Sequence, residues 1–431
     1  MSVIVIDSAI VTFSSYSGIE LTSMSNTVIF ILFSIIFIIG SAVLINSVRT
    51  NLPKHMRVSG PRIGLKYFDW MIISTQIIIF AIIVTIIIQI IFQNRYSLLL
   101  LSAQTYITHL SPLVFLLFLI FQFIGWFRVK RNKVIVLYAT SFALVCINLV
   151  VSLLYIESYY SVSGFPDVTP FPLSSYVTNL GGLPFTALLS FLSEILSLTS
   201  FVLMWIATAI LLSQYRHKMG QVKYFLLMSI PLIYYIFPFQ YYYSDVFSSL
   251  LLSSTLAFSI AYVLVFSATK QVGALLFSLG FWTASALVPN ILIRKLLLLS
   301  SVGIAILFGS IELISLQYHT FPPYGLVTEA FLPLGAYLVF VGIFASAGQI
   351  SRNAELRREF YKSASSQLAL LKAIGVSQME KELEKNIEFV NKRSQLLGTT
   401  DKVQQEEENA KEILREVLEE LYLKTNGIRR R

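Results

Sequence analysis

Apolar runs of about 20 residues recur along residues 26–348, and that is the length an α-helix needs to cross the hydrocarbon of a bilayer. No other feature of the chain constrains its fold so tightly. Composition agrees: the 431 residues are 56% hydrophobic and only 13% charged, with a mean hydropathy of +0.74, too little charge to clothe a soluble domain of this size. The roughly ten-residue alternating segments of a membrane β-barrel are not visible. The expected fold class is therefore all-α, a polytopic transmembrane helix bundle.

Spans are expected at 26–46, 69–92, 111–127, 134–156, 186–212, 222–241, 246–268, 296–316 and 329–348. No Lys or Arg precedes Arg49, so the first run lacks the basic flank of a cleaved signal and reads as an anchor. Residues 1–25 form an external segment, 26–348 the bundle and 349–431 a cytoplasmic tail. The single cysteine, Cys146, lies in an apolar run and cannot form a disulfide within the chain.

Basic residues crowd alternate connections. Arg49, Lys54, Arg57, Arg62 and Lys66 follow the first run; Arg128, Lys130, Arg131 and Lys133 the third; Arg216, Lys218 and Lys223 the fifth. The positive-inside rule places these loops in the cytoplasm, the N-terminus outside and the tail inside, which requires an odd number of crossings. Residues 271–293, QVGALLFSLGFWTASALVPNILI, disturb that count. If they crossed as a tenth span, Arg294 and Lys295 would lie outside. Nine crossings with this piece re-entrant or interfacial fit the charges best; ten or eleven full spans, with two basic residues tolerated outside, fit the lengths.

On this topology the outer side carries Asp7, Glu20, Glu157, Asp167, Glu194, Asp245, Glu312 and Glu329 against the single base Arg95. A solvated acidic rim and a cation-attracting vestibule both fit. Tyr155, Tyr159, Tyr160, Tyr241, Tyr242 and Tyr243 share that side, either as an interfacial belt or as aromatic faces for a cation. Candidate intramembrane or vestibule residues are thus Glu194, Glu312, Glu157, Asp245, Tyr159 and Tyr242. Glu194 is the sharpest. In a span beginning at Phe185 it lies near mid-membrane, where an unpaired charge costs about 3 kcal/mol or more; in a span of 193–212 it sits at the outer boundary. Ser190, Ser193 and Ser197 offer it hydroxyls at helical spacing. Pro231 and Pro238 are expected to kink the sixth span, a feature both of transport pathways and of static bundles.

His55, His109, His217 and His319 include no pair at metal-ligand spacing, and no nucleotide-binding, nucleophile-elbow or zinc-protease pattern occurs. Neither enzyme chemistry, a cofactor nor nucleic-acid binding is therefore expected. The tail reads as helices near 350–374, 378–397 and 402–424, with Gly375 and Gly398 as stops and Ser377/Glu380 as a capping box. Its apolar stripes, such as Met379, Leu383, Ile387 and Val390, need a coiled-coil partner, either one another, a second copy or another protein.

The stretch FPPYGLVTEAFLPLGAYLVFVGIFASAGQISRN from residue 321, followed by the LRR entry to the tail and the IG-x-x-x-ME-x-E junction, resembles a family of multi-pass membrane proteins of ammonia-oxidising archaea. KQVGALLFSLGFW is similar too. The resemblance covers about a quarter of the chain, implies an archaeal cell membrane, and transfers no catalytic or binding residue. Three functions remain open: a receptor or sensor coupling the outer surface to the tail, a transporter or channel for a small cation or amine, and a structural subunit or scaffold.

Overall fold

The computed structural model describes residues 3–7, 10, 24–51, 65–163, 167–168, 184–213, 216, 220–236, 256–288, 290–311, 321–352, 371, 373–381 and 384. The long helices are α1 (Met24–Asn51), α2 (Leu65–Gln93), α3 (Leu98–Val129), α4 (Lys133–Ser163), α5 (Pro184–Leu212), α6 (Gln221–Ile236), α7 (Leu256–Leu287), α8 (Ile291–Ser310) and α10 (Leu332–Arg352), with the five-residue α9 (Leu326–Ala330) just before the last. Among the described residues, seven helical segments are long and apolar enough to cross a membrane. The chain is thus an all-α protein built to be embedded in lipid. Hydrocarbon offers the backbone no water, so even the Ile-rich run of α2, which by propensity favours strand, satisfies its amides within a helix.

Contacts fix the direction of each helix relative to its neighbours. Ser141 on α4 meets Ser200 on α5, and Asn148 meets Ser193, so those two run antiparallel. Trp205 donates to the Met228 carbonyl and Tyr224 to that of Ala209, which sets α6 antiparallel to α5. Phe201 packs on Phe277, while Gly280 faces Thr208 and Leu211, so α7 runs parallel to α5. Ser301 of α8 donates to the Ser278 carbonyl of α7. Finally, Gly303 lies against Gly335 and Val339, and Gly342 against Leu296 and Ser300, so α8 and α10 are antiparallel.

This arrangement removes the difficulty posed by residues 271–293. They are not a separate piece: α7 runs unbroken from Leu256 to Leu287, through the boundary expected near 268–271. Lys270 and Gln271 carry charge and polarity but no feature that ends a helix. The break falls at 288–290, where the Asn290 side chain accepts from the amides of Leu292 and Ile293 and starts α8. Arg294 and Lys295, both exposed, therefore lie at the same end of the bundle as the close of α10 and the tail.

The last helix is the centre. Of the most apolar window in Leu326–Ser351, 94% is buried, against 28% for α1 and 33% for α2. Small residues allow this closeness: a Cβ on Gly303 would sit 2.6 Å from the Val339 nitrogen, and one on Gly342 2.6 Å from the Leu296 carbonyl oxygen. At one end the two-residue strands β1 (Tyr96–Ser97) and β2 (Asp167–Val168) pair antiparallel, and Tyr96 stacks on Phe321. At the other, residues 373–381 are helical and dock beneath α3 and α10. Gly375, expected as a helix stop, sits within this stretch, where its bare Cα accommodates Ile350. The expected helices near 378–397 and 402–424 lie outside the described residues beyond Glu384.

Candidate functional site

The polar side chains gather where α9 meets α3. Gly325, with φ of 90°, turns the chain into α9 and has no side chain with which to cap it. Asp7, from the helical turn of residues 3–7, supplies the cap. Its Oδ1 accepts from the Gly325 amide at 3.0 Å, and its Oδ2 accepts from the Thr328 amide at 3.1 Å and the Thr328 hydroxyl at 2.7 Å. Burial pushes the Asp7 carboxyl above its ordinary value, and those three donors oppose the rise. Next to it, Tyr324 donates to the Asn26 carbonyl; burial and the neighbouring Asp7 both raise its phenol.

On the other side of α9, Glu329 points at α3. Its Oε1 lies 3.3 Å from His109 Nδ1, both residues being at most 1% exposed, and its Oε2 lies 3.4 Å from the Thr105 hydroxyl. His109 Nδ1 also lies 2.8 Å from the Thr105 carbonyl oxygen, and Gln104 donates to the Leu326 carbonyl. Pro112 follows within α3 and cannot supply the usual donor to the Thr108 carbonyl. Two acids from the expected outer set, Asp7 and Glu329, are thus brought together on one buried turn instead of facing solvent.

A third buried acid lies elsewhere in the bundle. Tyr337 of α10 donates to Asp69 of α2, beside Phe68, Phe115 and Phe340. At the tail end, Trp126 of α3 donates its indole N–H to Gln378 Oε1 at 3.0 Å, while Ser377 donates to the Trp126 carbonyl at 3.0 Å. Helix α3 is therefore hydrogen-bonded near both ends, to α9 through Gln104 and Thr105 and to the tail through Trp126.

The other expected site residues are dispersed. Glu194 is exposed on α5 beside exposed Phe191, Leu192 and Ile195; Ser193, offered above as its partner, donates to Asn148 instead. Glu157 is exposed and accepts from Tyr106. Pro231 is buried within α6. Glu312, Asp245, Tyr242 and Pro238 lie outside the described residues, as does the side chain of Tyr159. Gln104, Thr105, His109, Asp69 and Trp126 were not singled out from sequence. The first three fell before the expected span at 111, although α3 begins at Leu98; the four-residue spacing of Thr105 and His109 in QTYITH was the available sign that those two share a face.

Among the described residues no group of three or more His, Cys, Asp or Glu side chains is placed to hold a metal ion. No family model, curated protein or solved structure matches this chain.

Proposed function

We propose that the protein is a membrane receptor or sensor in which the polar cluster around α9 is coupled to the cytoplasmic tail through α3 and α10. The observation that carries the reading is the double tethering of α3: Gln104 holds α9 near one end, and Trp126 holds Gln378 and Ser377 near the other. A rigid helix bonded at both ends passes a displacement at one to the other, and the central, almost wholly buried α10 does the same along its own axis.

The accompanying topology has nine crossings: α1 to α8, with α7 a full crossing, and α9 with α10. The alternating helix directions support it. They gather Arg49, Lys66, Arg128, Lys130, Arg131, Lys133, Lys223, Arg294, Lys295 and Arg352 toward one end, with Arg95 toward the other. The positive-inside rule favours a cytoplasmic basic end and an external cluster, and the resemblance to archaeal multi-pass proteins supports a cell membrane as the setting. The transport reading drew on Glu194, the kinked sixth span and the re-entrant piece together, and the exposed position of Glu194 on α5 lends it no support.

The test perturbs one end and reads the other. In the reconstituted full-length protein, Gln104→Leu and Thr105→Val should speed amide exchange at residues 373–378, although neither touches the tail. Unchanged exchange there, with the cluster visibly loosened, overturns the coupling. Sidedness is read with single thiols in a Cys146→Ser background: Asn94→Cys should label from outside and Arg294→Cys only from inside.

A further inference from the structure

Helix α2 and the tail share one stripe of α3. The two helices run antiparallel, since the Gln89 side chain accepts from the Ser97 amide at one end while Phe68 packs on Phe115 and Phe118 toward the other. Trp126 follows Phe115, and Gly125 follows Phe118, by about three and two helical turns, so all four positions lie on one face of α3. Gly125 and Trp126 are where the tail docks. Ser377 donates to the Trp126 carbonyl, the Trp126 indole donates to Gln378, and a Cβ on Gly125 would collide with the Lys381 side chain.

Between these two occupants α2 runs out. It begins at Leu65, and Gly60, Pro61 and Gly64 before it are residues that open helices rather than continue them. Phe68 is level with Phe118 on α3 and with Phe340 on α10. Past the start of α2, α3 therefore continues for about eight residues and α10 for about nine, roughly 12–14 Å of exposed groove among the described helices. The tail fills that length: Leu371, Ala373, Ile374 and Val376 are at most 6% exposed, and Gly375 admits Ile350 of α10.

This attachment differs in kind from the packing at the centre of the bundle. At Gly303 and Gly342 backbone lies against backbone, whereas at Gly125 and Gly375 the close neighbours are the side chains of Lys381 and Ile350. Inward of the tail segment, one turn into α2, is Asp69, which is buried and accepts from Tyr337.

We propose that residues 373–381 are a removable plug: they occupy the groove of α3 and α10 that α2 leaves open, and their release opens a cytoplasmic entrance to Asp69. An entrance ending on an acidic side chain beside the rings of Phe68, Phe115 and Phe340 favours a small cation. The plug does not require the coupling between α9 and the tail.

The experiment uses the full chain in lipid nanodiscs, in a Cys146→Ser background, and reads the rate at which a small cationic methanethiosulfonate modifies a single thiol. Gln122→Cys, on the α3 stripe between Phe118 and Trp126, reports the groove, and Asp69→Cys reports its inner end. If Asp69→Cys does not assemble, Ile72→Cys one turn along α2 takes its place and keeps the Asp69–Tyr337 bond. Ser377→Ala with Gly375→Val loosens the plug from the tail side alone, and amide exchange at 373–378 follows its release. The expected result is modification at both thiols faster by about fivefold or more, the factor that one lost hydrogen bond supplies. Release without faster modification at position 122 overturns the plug, and faster modification there but not at the inner thiol overturns the entrance to Asp69. Exchange that stays slow in the double variant overturns the side-chain attachment on which the proposal rests.

Discussion

Asp7 caps a helix that begins more than 300 residues after it, its carboxylate bonded to the amide and the hydroxyl of Thr328. The helix cannot cap itself, because Gly325 at its start has no side chain. The N-terminal turn is thereby held to the turn that leads into the central helix, and the tethering is polar and directional.

Removing that cap should loosen the N-terminal turn first. Asp7→Ala leaves the Thr328 amide and hydroxyl buried without their acceptor, a loss of about 2 kcal/mol from the cap and its charge-assisted bonds. Asp7→Asn should cost nearly as much, since the amide group turns one acceptor into a donor facing donors. Proteolysis near residues 3–7 should accelerate in both variants, with a lowered thermal midpoint; an unaltered midpoint in both would mean that the turn contributes nothing to stability.

The Trp126–Gln378 bond should account for much of the tail's attachment. Trp126→Phe removes the indole donor while keeping a ring that packs on Phe123, and Gln378→Leu removes the acceptor. Each should increase exchange at residues 373–378. Because both delete the same bond, the double variant should fall short of the sum by about 1 kcal/mol. Additive effects would assign the docking to Ser377 and apolar contacts instead.

Docking of the tail should depend on pH through Glu380. Burial raises its carboxyl above the ordinary value; Lys130 opposes the rise and Glu384 adds to it. A carboxyl raised in the docked state binds its proton more readily there than when released. Its contribution is therefore complete below the ordinary glutamate range and is lost as pH climbs through the raised value. Exchange at 373–378 should slow on acidification, and Glu380→Gln should flatten that dependence. A pH dependence of the opposite sign would make the Lys130 attraction the dominant effect.

Much of the bundle was legible because lipid imposes a simple rule: long apolar runs become helices whatever their propensity in water. The spans at 26–46, 134–156 and 186–212 match α1, α4 and α5 to within a few residues at most boundaries. The misplacement at 268–271 has a physical cause. The charge of Lys270 does not end a helix; a helix ends where the backbone is interrupted or capped, and here the cap is Asn290. The site was less legible. Glu194 stands out in sequence as an acid in an apolar run, whereas burial selects Asp7, Asp69 and Glu329, whose partners across the bundle lie about 220 to 320 residues away and so leave no local spacing to read. The stretch FPPYGLVTEAF did carry a signal, since it holds both the turn and the acid of the cluster.

The glycines of α10 offer the sharpest test of the packing at the centre. A Cβ added at Gly342 would lie 2.2 Å from Ser300 Oγ and 2.6 Å from the Leu296 carbonyl oxygen. The serine can rotate away, but the carbonyl belongs to the backbone of α8, so the two helices must part. Gly342→Ala should therefore destabilise the protein by about 1–3 kcal/mol, the usual range for overpacking. Gly40, in the middle of α1, is the control. Among the described residues its added Cβ would meet nothing nearer than the Phe331 ring at 3.9 Å, so Gly40→Ala should be neutral or stabilising by up to about 1 kcal/mol through helix propensity alone. Thermal midpoints of the two variants in the same lipid decide it: the backbones of α8 and α10 are in contact only if Gly342→Ala falls well below Gly40→Ala.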